Sequence, residues 1–440
     1  MALTAPGRHR HDREILRLAV PALGALVAEP LYVLADTAVV GRLGTTSLAG
    51  LAIASSALLV AYSIFIFLAY GTTAAVSRLL GAGDHGGAAH QAVQSLWLAG
   101  LVGVGLVVIG LPLSGPLVDL LGAEGQVRVE ALTYLRISLL GVPAMLVVLA
   151  GTGYLRGLQD TRTPLVVAIG SAAANLALES VLIFGLGYGI GASALATVVA
   201  QVGAAAVYLA ITRRAVARHR VALRPRWRTI GRLGIVGRDL FLRTVALRGA
   251  LLLTTAAAAR FGPEALAAHQ IAFETWSLLA LTLDAIAIAG QAMIGRFLGA
   301  GDAAEARAAG TRMLQWGLGV GTVLGAVAIA LHGVLPRVFT DDAAVIATAS
   351  GLLVIAGLAQ PVNGLAFTYD GLLIGAGDMG WLAVAMAASL AGYAPAVGVV
   401  LWTDAGIDAL WWALVWFMAL RVVTLAVRWR GDRWAVLGTT

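Results

Sequence analysis

Long apolar runs separated by short polar breaks recur along the whole chain. They fall at roughly 16–40, 49–80, 90–112, 127–150, 164–184, 190–212, 238–259, 266–298, 311–332, 345–372, 380–402 and 407–427. A helix needs about 20 apolar residues to cross the hydrocarbon core of a bilayer. A membrane strand needs only about 10. The runs are too long for strands and long enough for spanning helices. The pattern therefore predicts an all-α integral membrane protein with about twelve transmembrane helices.

Composition strengthens that reading. Of the 440 residues 60% are hydrophobic and 12% charged, with a mean hydropathy of +0.88. A soluble fold with so little charge could not cover its surface, so apolar side chains must face lipid. The formal charge is +7 and the pI about 10.2. In a soluble chain this would suggest nucleic acid, but here the basic residues sit in short breaks between apolar runs. That is the mark of membrane orientation, and no nucleic-acid partner is expected. Every basic side chain is arginine, which fits coding bias rather than chemistry, and the absence of cysteine excludes disulfides and thiolate chemistry.

Arg8, Arg10, Arg13 and Arg17 precede an apolar run from Leu18 to Val40. The run exceeds a signal-peptide core and lacks a cleavage site, so it reads as a retained first span. The largest basic cluster, Arg213, Arg214, Arg218, Arg220, Arg224, Arg226, Arg228, Arg232 and Arg238, lies between the sixth and seventh spans, and the tail adds Arg428, Arg430 and Arg433. Positive segments stay inside, which places both termini and the linker in the cytoplasm of a cell-membrane protein.

The strongest signal is an internal repeat. Leu80-Gly81-Ala82-Gly83-Asp84 recurs as Leu298-Gly299-Ala300-Gly301-Asp302, a shift of 302 − 84 = 218. At that shift Arg42 meets Arg260, Gly44 meets Gly262, Arg78 meets Arg296, Pro143 meets Pro361, Gly157 meets Gly375 and Asp160 meets Asp378. Gly81 and Gly83 suit a tight helix exit, and Asp84 is placed to bond nearby backbone or to pair with an arginine. Six spans fit in the shift. An even number gives both copies one orientation, so two six-helix bundles related by a pseudo-two-fold along the membrane normal are expected. Rocking bundles with a cleft between them is transporter architecture. The expected organisation is a 1–212 lobe, a 213–237 arginine-rich linker and a 238–440 lobe.

Ionisable groups inside a span are costly and mark function. Glu29, Tyr32 and Asp36 share one face of the first span, with Pro30 among them to bend the helix. The alternative for Asp36 is hydration at the outer interface. Asn175 and Glu179 share a face of the fifth span, as a polar site or as a packed pair joining helices. Thr197 in the sixth span and Tyr134 in the fourth complete a candidate patch, although a lone tyrosine also packs at interfaces. The second half offers Glu274, Asp284, Asn363 and Asp370, with His269 as an interfacial or helix-end residue. The repeat does not copy these groups. Asp36 maps to Thr254, Asn175 to Tyr393 and Glu179 to Val397, whereas Glu274 maps back to Ser56, Asp284 to Ile66 and Asp370 to Thr152. Each lobe therefore carries a polar site of its own.

Several stretches together resemble one known family. They are Asp36-Thr37-Ala38-Val39-Val40-Gly41-Arg42-Leu43-Gly44, Arg156-Gly157-Leu158-Gln159-Asp160-Thr161, the pair Asn175 and Glu179, and His269-Gln270-Ile271. Asp284 to Gln291 and Gln360-Pro361-Val362-Asn363 through Tyr369-Asp370-Gly371 complete the set. From Pro21 to the twelfth span the chain resembles multidrug and toxic compound extrusion (MATE) transporters of the DNA-damage-inducible F (DinF-like) branch. The resemblance implies two six-helix lobes and export of toxic compounds coupled to proton or sodium entry. It implies that Asp36 is the cation-binding acid of the first lobe. Glu179 stands where many relatives carry aspartate, and Asn175, Thr197, Tyr32 and Tyr134 are polar neighbours. Glu29, Glu274, Asp284, Asn363 and Asp370 are expected to line the substrate or polar cavity, and Pro21 and Pro30 are the helix-bending positions.

The expected activity is a cation-coupled antiporter working by alternating access as a monomer, with a small cationic or amphipathic substrate and the bilayer as its partners. No cofactor is expected. Protons or sodium would serve as coupling ion, sodium being held by the oxygens of Asp36, Asn175 and Glu179. The main alternative is a flippase for lipid-linked oligosaccharides, which calls for a cationic cavity to hold pyrophosphate. An intramembrane enzyme is disfavoured, because neither HExxH nor GxSxG occurs.

Overall fold

A computed structural model describes residues 8–439; residues 1–7 and 440, which the expected lobes include, lie outside the described residues. The described chain is helical. In the first repeat α1 spans Arg8–Gly41, α2 Thr45–Phe65, α3 Phe67–Gly81, α4 His85–Leu120, α5 Gly125–Gly157, α6 Arg162–Ser180 and α7 Ile190–His219. In the second, α8 spans Trp227–Ala258, α9 Pro263–Gly299, α10 Ala303–Leu331, α11 Ala343–Gly375, α12 Met379–Trp402 and α13 Gly406–Arg430. Among the described residues eleven helical stretches are long and apolar enough to cross a membrane, and Thr45–Leu59 is a shorter apolar helix. The chain is a multi-pass membrane protein. Helices are the natural solution, since lipid offers no partner to backbone N–H and C=O groups.

The expected second span is interrupted. At Ile66 the chain passes from α2 to α3 with φ −56° and ψ −19°, so the course stays helical and the two pieces continue one another. At the equivalent place α9 runs unbroken through Asp284.

The repeat is visible in the helix boundaries themselves. The α2–α3 pair covers 45–81 and α9 covers 263–299, a shift of 218 at both ends, since 263 − 45 = 299 − 81 = 218. The same shift carries α5 onto α11, from 125–157 to 343–375. The repeated Gly-Asp motif explains why these helices stop where they do. Gly83 and Gly301 take φ +74° and +79°, a left-handed turn that an L side chain resists. Asp84 then accepts from Gly87 N at 2.7 Å, and Asp302 from Glu305 N at 2.8 Å, capping α4 and α10 alike. Asp160 and Asp378 have diverged. The former bonds the backbone N of Arg162 and Thr163, whereas the latter pairs with Arg428 at 2.5 Å.

The helices group into two compact units, 24–237 and a second composed of residues 238–439 together with 8–23. Each boundary falls inside the first helix of a repeat. The beginning of α1 therefore belongs with the second repeat's helices, and the beginning of α8 with the first repeat's. The holding contacts use equivalent positions, Gln94 on α4 and Arg312 on α10 (312 − 94 = 218). Gln94 donates to Arg224 O at 3.1 Å and accepts from Arg226 N at 2.6 Å, fixing the approach to α8. Arg312 binds Asp12 of α1 through Nε at 2.6 Å and Nη2 at 2.8 Å, and Trp316 Nε1 donates to the same carboxylate at 2.7 Å. Glu14 pairs with Arg296 at 2.8 Å. This bidentate geometry is stronger than an ordinary surface pair. A double-mutant cycle of Asp12→Ala and Arg312→Ala, read by thermal unfolding in detergent, is expected to give a coupling energy of about 1 kcal/mol. Additive single losses would show that the pair carries no stabilisation.

Candidate functional site

Four helices of the 24–237 unit bring a polar cluster together within apolar spans. α1 supplies Tyr32 and Asp36 one helical turn apart, and α6 supplies Asn175 and Glu179 with the same spacing. Tyr134 comes from α5 and Thr197 from α7. Asp36, Tyr134, Asn175 and Glu179 are all buried. Tyr32 Oη and Thr197 Oγ1 lie 2.9 Å apart, and Asn175 Nδ2 donates to both, at 3.0 and 2.9 Å. These three side chains tie α1, α6 and α7 together. A fourth contact comes from Ser193, one turn before Thr197 on α7. Its hydroxyl donates to Asp36 Oδ1 at 3.0 Å, and it also lies beside Glu179 and Tyr134.

The two carboxyl groups neighbour one another. Glu179 is 0% exposed, and neither of its oxygens has a hydrogen-bond partner; Asn175 Oδ1 is also without one. A buried acceptor left without a donor costs free energy, about 1–3 kcal/mol for each such group and more when it is charged. Two adjacent buried carboxyl groups repel one another when both are charged, and a proton or a cation taken up by the pair relieves that cost. The oxygens on offer are carboxylate, amide and hydroxyl. That donor set suits a hard cation such as sodium, and the same carboxyls are proton acceptors.

The other expected residues are placed elsewhere. Glu29 lies on α1 but is exposed. Pro21 and Pro30 sit inside the continuous helix α1. In the second unit Asp370 of α11 is buried, and its Oδ2 accepts from Arg243 Nη2 of α8 at 2.6 Å and from Arg421 Nη2 of α13. Asn363, also on α11, is 1% exposed with both amide atoms lacking a partner. Glu274 is exposed and accepts from Gln270 Nε2 at 2.9 Å, whereas Asp284 is half-buried on α9. His269 is buried against Thr255, with Nε2 3.1 Å from the threonine Oγ1, and its ring meets Trp411 edge-on at 5.8 Å.

The repeat shows what occupies the mirrored place. Thr254 stands for Asp36, Tyr393 for Asn175, Val397 for Glu179 and Trp411 for Ser193, since 411 − 193 = 218. Thr254 Oγ1 and Tyr393 Oη lie 2.6 Å apart, and all four side chains are buried. Bulky neutral groups fill the position, so among the described residues the paired carboxyls occur in one copy. Sequence reasoning missed Ser193, for which the only signal was its four-residue spacing from Thr197. It also missed Arg243 and Arg421, signalled only as arginines inside apolar runs.

The family described as MatE matches residues 21–181 and again 241–400, one match per repeat. The chain is 34% identical to protein DETOXIFICATION 44, chloroplastic, of Arabidopsis thaliana, covering 96% of this chain and 83% of that protein. It is 29% identical to DNA damage-inducible protein F of Escherichia coli, covering 95% and 92%. In fold it is similar to the Vibrio cholerae MATE transporter VcmN in the bent form, with a TM-score of 0.86, 22% identity and 98% of each chain covered.

Proposed function

The chain belongs to the MatE family, in its DinF-like branch, and from that premise we propose that it exports small organic or toxic compounds across the cytoplasmic membrane in exchange for protons or sodium. Proteins of this family are transporters, and the chain is a transporter rather than an enzyme. The observation that carries the coupling is the pair Asp36 and Glu179, neighbouring carboxyl groups that are 5% and 0% exposed. Such a pair is tolerable when a proton or cation is bound and unfavourable when empty. Its energy therefore rises and falls with occupancy, which is what coupling requires. Asp36 and Tyr32 lie on α1, so a change of occupancy acts on a helix that contains Pro21 and Pro30. Alternating access follows if that helix responds differently when the site is loaded and when it is empty. The linker and both termini face the cytoplasm in this reading.

The test uses the full chain in proteoliposomes loaded with a panel of dyes, antibiotics and bile salts. An imposed proton or sodium gradient should drive efflux of at least one class, and cargo should drive counterflow of the same ion. Translocation of a lipid-linked oligosaccharide without ion movement would instead favour the flippase reading.

Ser193 offers a finer check. Ser193→Ala removes the donor to Asp36 Oδ1 at 0% exposure, so little else can rearrange. A hydrogen bond to a charged group contributes about 1.5 kcal/mol or more, or roughly tenfold in affinity. The half-saturating cation concentration is expected to change by that factor with the maximal rate retained. An unchanged half-saturation would assign Ser193 to packing.

A further inference from the structure

Arginines near the helix ends fall into two groups. Four of the second unit are matched by acids: Arg296 by Glu14 at 2.8 Å, Arg312 by Asp12 at 2.6 Å, Arg428 by Asp378 at 2.5 Å and Arg307 by Asp432 at 2.8 Å. The eight arginines from Arg213 to Arg232 are all exposed, and among the described residues none of them is in an ion pair. The chain holds no acid between Glu179 and Asp239. Orientation of the protein in the membrane accounts for a basic segment. It does not say what these eight guanidiniums, with no acid within reach along the chain, would bind.

The bare group adjoins a shaped surface. A groove of about 570 Å³ runs along α7, lined by Ala206, Leu209, Ala210, Ala217, Arg213 and Arg214. Alanines open the groove over the apolar stretch, and the two guanidiniums stand toward the end of the helix. Trp227 is 66% exposed and Leu223 61%, while Trp97 Nε1 donates to Leu223 O at 2.8 Å and holds the following segment in place. Exposed tryptophan beside arginine at the end of a span is the composition of the headgroup layer.

We propose that this face is a binding site for an anionic phospholipid, with Arg213 and Arg214 holding the headgroup phosphate and the alanine-lined groove of α7 taking an acyl chain. Guanidinium groups match phosphate oxygens in charge and in forked geometry. The occupant is a lipid because α7 is long and apolar enough to span a membrane, which would turn the alanine-lined end of the groove toward acyl chains and the two arginines toward headgroups. The site is independent of the Asp36 cluster, so its failure would leave the transport reading untouched.

The test offers the full-length protein, purified in detergent and stripped of lipid, vesicles of phosphatidylcholine or of phosphatidylcholine with phosphatidylglycerol, and weighs the retained lipid by native mass spectrometry. Wild type is expected to retain phosphatidylglycerol selectively. Arg213→Gln with Arg214→Gln should weaken retention roughly 30-fold, at the usual contribution of each basic side chain near an anionic surface. Ala210→Trp, which fills the groove and keeps every charge, should also expel the lipid. Arg224→Gln with Arg228→Gln, equal in charge but outside the groove, should weaken it far less. Thermal melting of each variant confirms that it is folded. Equal retention of the two lipids by wild type would overturn the proposal. So would equal losses in the two arginine pairs, or undiminished retention by Ala210→Trp, because charge alone would then explain the binding.

Discussion

Asp36→Asn protein is expected to fold, to insert, and to lose cation-driven exchange by about a hundredfold or more. Asparagine keeps the size of the side chain, and its carbonyl oxygen can still accept from Ser193, so the network around it is disturbed little. What disappears is the second carboxyl. Glu179 alone can hold a proton or a cation, but the occupied and empty states of the cluster then differ by far less in electrostatic energy. Occupancy no longer drives the change on α1, and exchange becomes uncoupled. Substrate-driven counterflow of protons and of sodium in proteoliposomes, measured beside wild type at matched protein density, decides the matter. Undiminished counterflow would remove Asp36 from the mechanism. Stability should not fall, because no opposite charge is left behind when this carboxylate is neutralised.

Most of the fold was legible because the bilayer leaves so little choice. Backbone groups in lipid must bond within their own segment, so a long apolar run has one solution, and the expected runs coincide with the helices. The repeat was legible down to single residues, since the glycine and aspartate that stop one helix and start the next are copied with it. The break at Ile66 was not legible. Neither glycine nor proline marks it, and α9 passes the same place without interruption. Nor did the sequence indicate that the start of α1 belongs with the second repeat. That depends on Arg312 reaching Asp12 across 300 positions, and periodicity is blind to it.

The candidate site divides along the same line. Tyr32 with Asp36, and Asn175 with Glu179, announce a shared helical face by their spacing, and the structure brings the two faces together. Ser193 has no such advertisement in an alanine-rich helix. Asp370 shows the limit most clearly. An acid inside an apolar run signals a cost that something offsets, but not what offsets it. Its partners Arg243 and Arg421 lie 127 and 51 positions away.

That difference separates the two membrane aspartates by experiment. Asp370→Asn is expected to destabilise the protein by about 3–5 kcal/mol, the usual result of removing one partner from a buried ion pair. Arg421 is 2% exposed and Asp370 3%, so water cannot take over when the carboxylate is gone. The aromatic rings of Phe367 and Phe417 face the Arg421 guanidinium at 5.8 and 5.9 Å and can replace only part of the lost attraction. The variant should show a lowered melting temperature in detergent and reduced yield in the membrane. Asp370→Leu combined with Arg421→Met removes both charges of one pair, and it should recover part of the loss because no desolvated charge of that pair remains to be stabilised. An Asp370→Asn protein that melts like wild type but exports a different range of compounds would show the opposite. The carboxylate would then serve cargo, and the two arginines would have to be held by other groups of the second unit.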